Sequence, residues 1–482
     1  MAIVCGAGKS WAHTVRLVPE LPNLPEKTAL NDSRATFIAI LVTSPLVFFS
    51  GSSHAADLEP DAFEWVGTFD AFQNESDKER GRDKEAVAEI VTSSGDGQTL
   101  VYTDGKSGSV GFVDITNVSS PRPLGGVSVG GEPTSVAVIG GYALACVNTS
   151  TSHTSPSGKL QVLNIKQRKI IHTINLDGQP DSIAVGPDGR YAAIAIENER
   201  DEELGDGSPP QSPAGYLLIL DLGGTFDDWS VRRVGLYDAS MRFPDDAEPE
   251  FVAVNADNVA AVTLQENNHL FIIDLADGKT VSSFTAGHVA IEIDHSGEDG
   301  ESGLARRNMR HRPREPDGVC WITSEVLATA DEGDLSGGTR GFTIWTTEGR
   351  PIFTSGGELD SLLKGDTSKQ KWRKRIRGVE PESIAYDRYG KTGFMFVGLE
   401  RADVVLVYQF DKGCTPDECA PNFVQVLKTG AGPEGIHTIP SRGLLVVANE
   451  ADDPSSGRRS SIMIYRLRQS RVERSLAKPE RP

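Results

Sequence analysis

Short runs of Val, Ile and Leu, each closed by a cluster of Gly, Pro, Asn or Asp, recur along most of the chain. Thr99-Leu100-Val101-Tyr102 is followed by Ser109-Val110-Gly111-Phe112-Val113-Asp114-Ile115, and later runs repeat this form. Runs of this length between turn residues predict β-strands, and Gly186-Pro187-Asp188-Gly189 is a strong turn signal. No sustained helical period competes with them. The best helical pattern, residues 357–374, reads as part of a loop. The runs group into seven similar units: residues 86–129, residues 130–176, then units opening at Gly178, Glu248, Glu315, Glu380 and Gly432. Each unit spans somewhat under about 60 residues with its insertions, which suits four-stranded propeller blades. The fold class expected is therefore all-β, a seven-bladed β-propeller. The strand pattern around Trp65 is placed to close the last blade. Two stacked β-sandwiches are the competing arrangement.

One pair of motifs repeats with the units. Gln179-Pro180-Asp181 leads to Glu197-Asn198-Glu199, and Glu248-Pro249-Glu250 leads to Gln265-Glu266-Asn267-Asn268. Glu315-Pro316-Asp317 leads to Asp331-Glu332-Gly333-Asp334, Glu380-Pro381-Glu382 to Glu400, and Gly432-Pro433-Glu434 to Asn449-Glu450. The acid after Pro and the second cluster lie roughly 14–18 residues apart, one hairpin of ordinary strand length. In a propeller the first strand of each blade lines the channel and the second runs back, so both motifs should meet around one mouth. The acids expected there are Glu250, Glu266, Asp317, Asp331, Glu332, Asp334, Glu382, Glu400, Glu434 and Glu450. Such crowding is unfavourable unless a cation or protons relieve it. An oxygen-only ring points to a hard cation, calcium before magnesium. The competing explanation is local, with Pro setting φ and the acid satisfying a turn N–H.

Formal net charge is −20 over 482 residues. That balance argues against a nucleic-acid partner, whose phosphates need Lys and Arg, and is compatible with cations. An apolar run from Ala35 to Phe49 follows Arg34 and precedes Ser53-His54-Ala55, the layout of a signal peptide. Pro45 and the short run argue against a spanning helix. The expected organisation is a leader and signal peptide over 1–55, a strand and charged linker over 56–84, the propeller over 85–467, and a polar basic tail over 468–482. The tail carries no anchor pattern, so the expected location is periplasmic or secreted, with no membrane span after cleavage. Cys414 and Cys419 share one polar loop, and export would allow a disulfide between them. Cys146 and Cys320 lie in apolar strand patterns, as small core residues do.

Standard catalytic motifs are missing: no Gly-x-Ser-x-Gly, no His-Glu-x-x-His and no phosphate-binding Walker loop. His269, His295, His311 and His437 stand near the acidic motifs and read as core or surface histidines. The insertion over residues 288–314 is rich in Arg and runs into Glu315, so it should overhang the acidic mouth. Arg beside a cation is how a phosphate ester would be held, and the alternative is a basic loop neutralising nearby acids. Asn267, Asn449, Arg401 and Arg314 are the candidate ligand-binding side chains.

These residues resemble the choice-of-anchor I propellers, a family that includes bacterial proteins labelled alkaline-phosphatase-like and the mesenchyme-specific cell-surface glycoproteins. The resemblance is carried by Pro316-Asp317-Gly318-Val319 with Thr329-Ala330-Asp331-Glu332-Gly333-Asp334, and by Glu380-Pro381-Glu382-Ser383-Ile384 with Phe396-Val397-Gly398-Leu399-Glu400-Arg401. Gly432-Pro433-Glu434-Gly435-Ile436 with Leu445-Val446-Val447-Ala448-Asn449-Glu450 adds to it, as do Ala88-Glu89-Ile90 and Pro133-Thr134-Ser135-Val136-Ala137. It covers about residues 60–467 and implies export, a seven-bladed propeller and calcium. The chain departs from the pattern at Asp331, where the family usually has Asn. Three functions are in contention: a calcium-binding scaffold or binding module, a metal-dependent phosphoesterase using the same acids, and a lactonase-like hydrolase by fold analogy. The partners expected are a divalent cation and either a phosphorylated small molecule or an extracellular protein.

Overall fold

Thirty strands make up seven four-stranded antiparallel sheets and one separate hairpin in the computed structural model. It describes residues 62–74, 83–205, 207–294, 307–333, 335–363, 378–411 and 413–468. The leader, residues 75–82 of the charged linker, His295, Asp334 and the tail beyond Arg468 lie outside these residues.

Blades 1 to 6 are each built from four consecutive strands. Blade 1 runs from Val91–Ser93 to Arg122–Ser128, blade 2 from Glu132–Ile139 to Lys169–Leu176, and blade 3 from Pro180–Val185 to Ser230–Gly235. Blade 4 runs from Pro249–Val254 to Lys279–Thr285, blade 5 from Val319–Trp321 to Pro351–Thr354, and blade 6 from Pro381–Tyr389 to Asn422–Lys428. Blade 7 takes Pro433–Ile439, Leu444–Asn449 and Ser461–Leu467 from the end of the chain and Phe63–Asp70 from its beginning. The expected seven blades and the closing strand are thus both present.

Burial explains which runs became which strands. Second strands such as Tyr191–Ile196 and Leu444–Asn449 are buried along their whole length, since both faces meet neighbouring blades. That is why they read as unbroken apolar runs rather than alternating ones. Outer strands such as Lys169–Leu176 alternate, with one face in water. The core divides into seven apolar clusters, one at each junction between adjacent blades. No cluster sits on the axis, so the channel is free to be polar.

The closing strand serves two junctions. Phe63 is 1% exposed and meets Tyr389, Phe394 and Phe396 of blade 6 edge-on, each with ring centroids 5.3 Å apart. Phe69 points into the junction with blade 1, beside Tyr102. One strand therefore ties the first and last parts of the chain into a ring.

Two insertions differ from the sequence reading. In the insertion over residues 288–314, His288–Asp294 pairs antiparallel with Arg307–Pro313, two strands where the sequence reads as a loop. Within residues 357–374 the only described helix longer than a 3-10 turn is Leu359–Leu362. On the edge of blade 6 a disulfide joins Cys414 to Cys419. No described helix is long and apolar enough to cross a membrane.

Ring closure sets a first expectation. Phe63→Ala removes three aromatic contacts from a site walled by strands that cannot collapse inward, so it should cost about 3–5 kcal/mol in equilibrium denaturation. A loss below about 1 kcal/mol would show that the closing strand is dispensable.

Candidate metal centre

Each first strand enters the channel the same way. In blades 3 to 7 a Pro opens the turn into the strand and an acid follows it: Asp181, Glu250, Asp317, Glu382 and Glu434. Blade 1 has Glu89 after Ala88, and blade 2 has Thr134 after Pro133. A register shift follows the Pro in blades 2, 3, 4, 6 and 7. Bulges of this kind bend a strand and re-aim its side chains. The third residue is small in most blades, which lets neighbouring strands approach. Ser135 Oγ accepts from Ile183 N and Ser182 Oγ from Val252 N, both at 3.3 Å. Gly318 N donates to the Glu382 carbonyl at 3.1 Å, and a Cβ on Gly318 would stand 2.5 Å from that same oxygen. Gly318 thus brings Asp317 and Glu382 together.

The result is a cavity of about 110 Å³ on the axis, lined by Thr134, Asp181, Glu250, Asp317, Glu382 and Glu434 with Ser135, Ser182, Ser383, Ile90 and Phe251. A second belt comes from the ends of the returning strands. Strand register places Glu197, Gln265, Glu400 and Glu450 one residue beyond the partner of the Pro in their blade, and Glu332 directly follows the second strand of blade 5, Val326–Asp331. Gln265 Nε2 donates to Glu332 Oε2 at 2.8 Å. Single carboxylate oxygens of Asp317, Glu332 and Glu382 all lie within 4.8 Å of one another.

Several oxygens of the inner ring lack a partner among the described residues. The Oε2 atoms of Glu250, Glu382 and Glu434 and the Oγ of Ser383 are covered from solvent and have no hydrogen-bond partner among the described residues. Burial, and then neighbouring carboxylates, push Glu197, Glu250, Asp317, Glu382 and Glu434 well above the usual carboxylate range. Burial raises Asp181 to about 7, with Glu199 adding to it. Glu89 rises to about 8 by burial, then by Glu450, Asp104 and Glu132. Two like charges at about 4 Å repel by about 4 kcal/mol at an effective dielectric of 20. A few such pairs would equal the whole stability of an ordinary domain, so the ring needs protons or a cation.

A different set of acids is paired with arginine. The residues before Pro in blades 4, 5 and 6 are Glu248, Glu315 and Glu380, and each meets an arginine. Arg200 lies 3.2 Å from Glu248 and Arg242 lies 2.7 Å from Glu315, while Arg401 bonds Glu380 closely and Glu400 at 2.7 Å. Glu332, Glu380 and Glu400 also converge, but Arg401 already occupies their neighbourhood.

Of the sequence-expected residues, the structure brings Glu250, Asp317, Glu332, Glu382, Glu400, Glu434 and Glu450 to this mouth. Glu266 turns to Arg200 at 2.7 Å. Asp331 is fully buried and held by Thr329 at 2.8 Å, Thr343 at 2.6 Å and Thr339 at 3.3 Å, with Arg314 at 3.6 Å. Burial raises it to about 6 against the pull of Arg314 and the threonines. Arg314 does not overhang the mouth. It donates to Thr343 and the Ala286 carbonyl and lies over the Trp345 ring at 4.9 Å. Asn267 closes the 242–248 loop by donating to the carbonyls of Arg242 and Asp246 and accepting from Glu248 N. Asn449 donates to the Ser461 carbonyl at 2.8 Å. His269 and His437 are pushed down to about 4 by burial, and His437 touches Ser93 at 2.9 Å. His311 is exposed. Glu89, Asp181 and Glu197 belong to the ring although the sequence-based site omits them. Their signal was the shared spacing, which Ala88 disguises in blade 1.

The sequence profile of the choice-of-anchor I domain matches residues 89–337 and 335–413. No curated protein is similar to the chain in sequence. Among solved structures, the WD40 repeats of RRP9 superpose with a TM-score of 0.54 at 10% identity, covering 80% of this chain and 96% of that one. Hydrazine synthase of Kuenenia stuttgartiensis gives 0.50 at 18% identity, covering 76% and 94%. Virginiamycin B lyase of Staphylococcus aureus gives 0.50 at 12%, covering 84% and 100%. At such identities these likenesses concern the propeller fold alone.

The raised acids have a consequence for pH. Their folded pKa values exceed the unfolded ones, so between about pH 4 and 8 the folded chain holds more protons. Stability must then fall as pH rises through that window. In chelator, the denaturation midpoint should be lower at pH 8 than at pH 5. An unchanged or higher midpoint at pH 8 would contradict the electrostatics described.

Proposed function

The chain belongs to the choice-of-anchor I family, and from that premise we propose that it is an exported binding module whose channel mouth holds a divalent cation, calcium before magnesium. The observation that carries this reading is the convergence of Asp317, Glu332 and Glu382, with Glu382 Oε2 buried and without a hydrogen-bond partner among the described residues. The residues fit such an ion. The donors are carboxylate oxygens from three different strand ends, and seryl and threonyl oxygens line the same cavity. Calcium accepts six to eight oxygens at variable geometry, whereas magnesium demands a tight octahedron and keeps its waters. A ring spread over several blades suits the more permissive ion. When bound, the cation supplies positive charge to the crowded carboxylates and coordinates oxygen atoms of a partner. The chain's own residues fix its position: Gln265 orients Glu332, and Gly318 lets Asp317 approach Glu382.

Binding is favoured over phosphoester hydrolysis by what the arginines do. Arg314 is committed to Asp331 and Thr343, and Arg401 to Glu380 and Glu400. Neither guanidinium is left to grip a phosphate beside the ion. Export is supported by the family, by the signal-peptide pattern of residues 34–55, and by the disulfide between Cys414 and Cys419, since such bonds persist in oxidising compartments.

Calcium at about 100 times its dissociation constant should stabilise the fold by about 2.7 kcal/mol. Calcium should therefore raise the melting temperature at pH 8, magnesium should do so less, and Glu382→Gln should weaken the response at least tenfold in concentration. A melting temperature indifferent to calcium from micromolar to 10 mM concentrations would overturn the proposal.

A further inference from the structure

At the end of the propeller away from the acids, blades 6 and 7 leave a cleft. Their first strands start at the mouth, at Pro381 and Pro433, and run out to the turns at Tyr389-Gly390 and Pro440–Arg442. A strand of nine residues spans about 30 Å, so these turns stand on the opposite face of the ring. The cleft has a volume of about 680 Å³ and is lined by Glu64, Tyr389, Ser441, Arg442, Arg466 and Arg468, with Pro440 and Leu467 as apolar wall. That volume lies within the roughly 300–1,000 Å³ of small-molecule sites.

Three arginines against one carboxylate line this cleft, on a chain whose formal net charge is −20. The three arginines differ in what holds them. Arg442 donates to the carbonyls of Gly97 at 2.6 Å, Ile115 at 3.0 Å and Thr116 at 3.3 Å, which fixes it against blade 1 through neutral oxygens. Arg468 Nε lies 3.0 Å from Glu64 Oε2. Arg466 stands opposite Glu64 in the strand ladder, but Glu64 has turned to Arg468. Arg466 is exposed and has no hydrogen bond or ion pair among the described residues. The exposed hydroxyl of Ser441 is likewise without a partner among them. Arg388 and Lys391 flank the Tyr389-Gly390 turn and add positive charge to that side, while Asp387 accepts from Thr438 Oγ1 at 2.7 Å.

We propose that this cleft binds a small organic anion, with its phosphate or carboxylate group on Arg466 and its uncharged body along Pro440 and Leu467. A guanidinium presents a planar fork of donors that meets two oxygens of such a group at once. Arg466 has that fork free, Ser441 offers a further hydroxyl on the same wall, and Arg442 and Arg468 hold positive charge at fixed positions beside it. The apolar wall selects a molecule with a body over a bare inorganic ion. The inference does not rest on the cation-binding reading, because the cleft and the acidic mouth lie at opposite ends of the same strands.

The test is saturation-transfer NMR of the full chain in chelator, with phenyl phosphate, benzoate and the uncharged benzyl alcohol as probes. At least one of the two anions should bind and benzyl alcohol should not. Tighter binding of phenyl phosphate would assign the group as a phosphate, and tighter binding of benzoate as a carboxylate; either supports the inference. Arg466→Gln should weaken the bound anion at least about tenfold, the ordinary loss for one charged hydrogen-bonding group. Arg466→Lys, which keeps the charge but not the fork, should fall between the two. Because Arg466 is exposed and ties nothing down, both variants should melt as wild type does. No binding of either anion at millimolar concentrations, or equal binding by Arg466→Gln, would overturn the inference. Binding that appears only when calcium replaces the chelator would also overturn it, and would assign the anion to an ion in the channel mouth.

Discussion

Seven first strands converge on one axis, and whatever residue follows the opening Pro of each unit is delivered into the same small space. In this chain that residue is an acid in five blades and Thr134 in blade 2, and blade 1 delivers Glu89 after Ala88. Repeat geometry thereby turns a modest local preference into a concentration of charge that no single unit would reveal. Burial and mutual repulsion act in the same direction on every member, which is why their proton affinities all rise. Ring closure by Phe63–Asp70 maintains the convergence, since an open ring would let the blades and their charges separate.

The acids divide by what surrounds them. Those before Pro, Glu248, Glu315 and Glu380, sit beside arginines and tie loops to blades. Asp331 is satisfied by three threonines and Arg314. Among the described residues, Glu250 Oε2, Glu382 Oε2 and Glu434 Oε2 have no such provision. Buried polar atoms are nearly always paired in folded proteins, so three orphaned carboxylate oxygens around one cavity mark a place where something outside the chain belongs. A structural explanation of the Pro-acid motif accounts for the turns but not for Glu250, Glu382 and Glu434.

The sequence was most legible where burial is two-sided. Second strands are unbroken apolar runs because both faces are covered, and their spacing counted the blades. The shared mouth was legible too, because a hairpin returns its ends to one side. What was not legible was register. Asp331 and Glu332 are neighbours in the chain, yet successive strand residues point oppositely, so one enters the blade and the other the channel. In the same way Gln265, not Glu266, occupies the belt position of blade 4, and Glu266 meets Arg200 instead. Arg314 misled for a related reason. Its neighbours in the chain are charged, but its side chain runs inward to Trp345 and Asp331, contacts distant in sequence.

The central claim is that the orphaned oxygens belong to a cation. Crystals grown at pH 8 and soaked in terbium, a calcium stand-in with a strong anomalous signal, would test it most directly. The account predicts an anomalous peak bounded by the carboxylates of Asp317, Glu332 and Glu382, displaced by excess calcium. A channel without a peak, or peaks only at exposed surface acids, would contradict it.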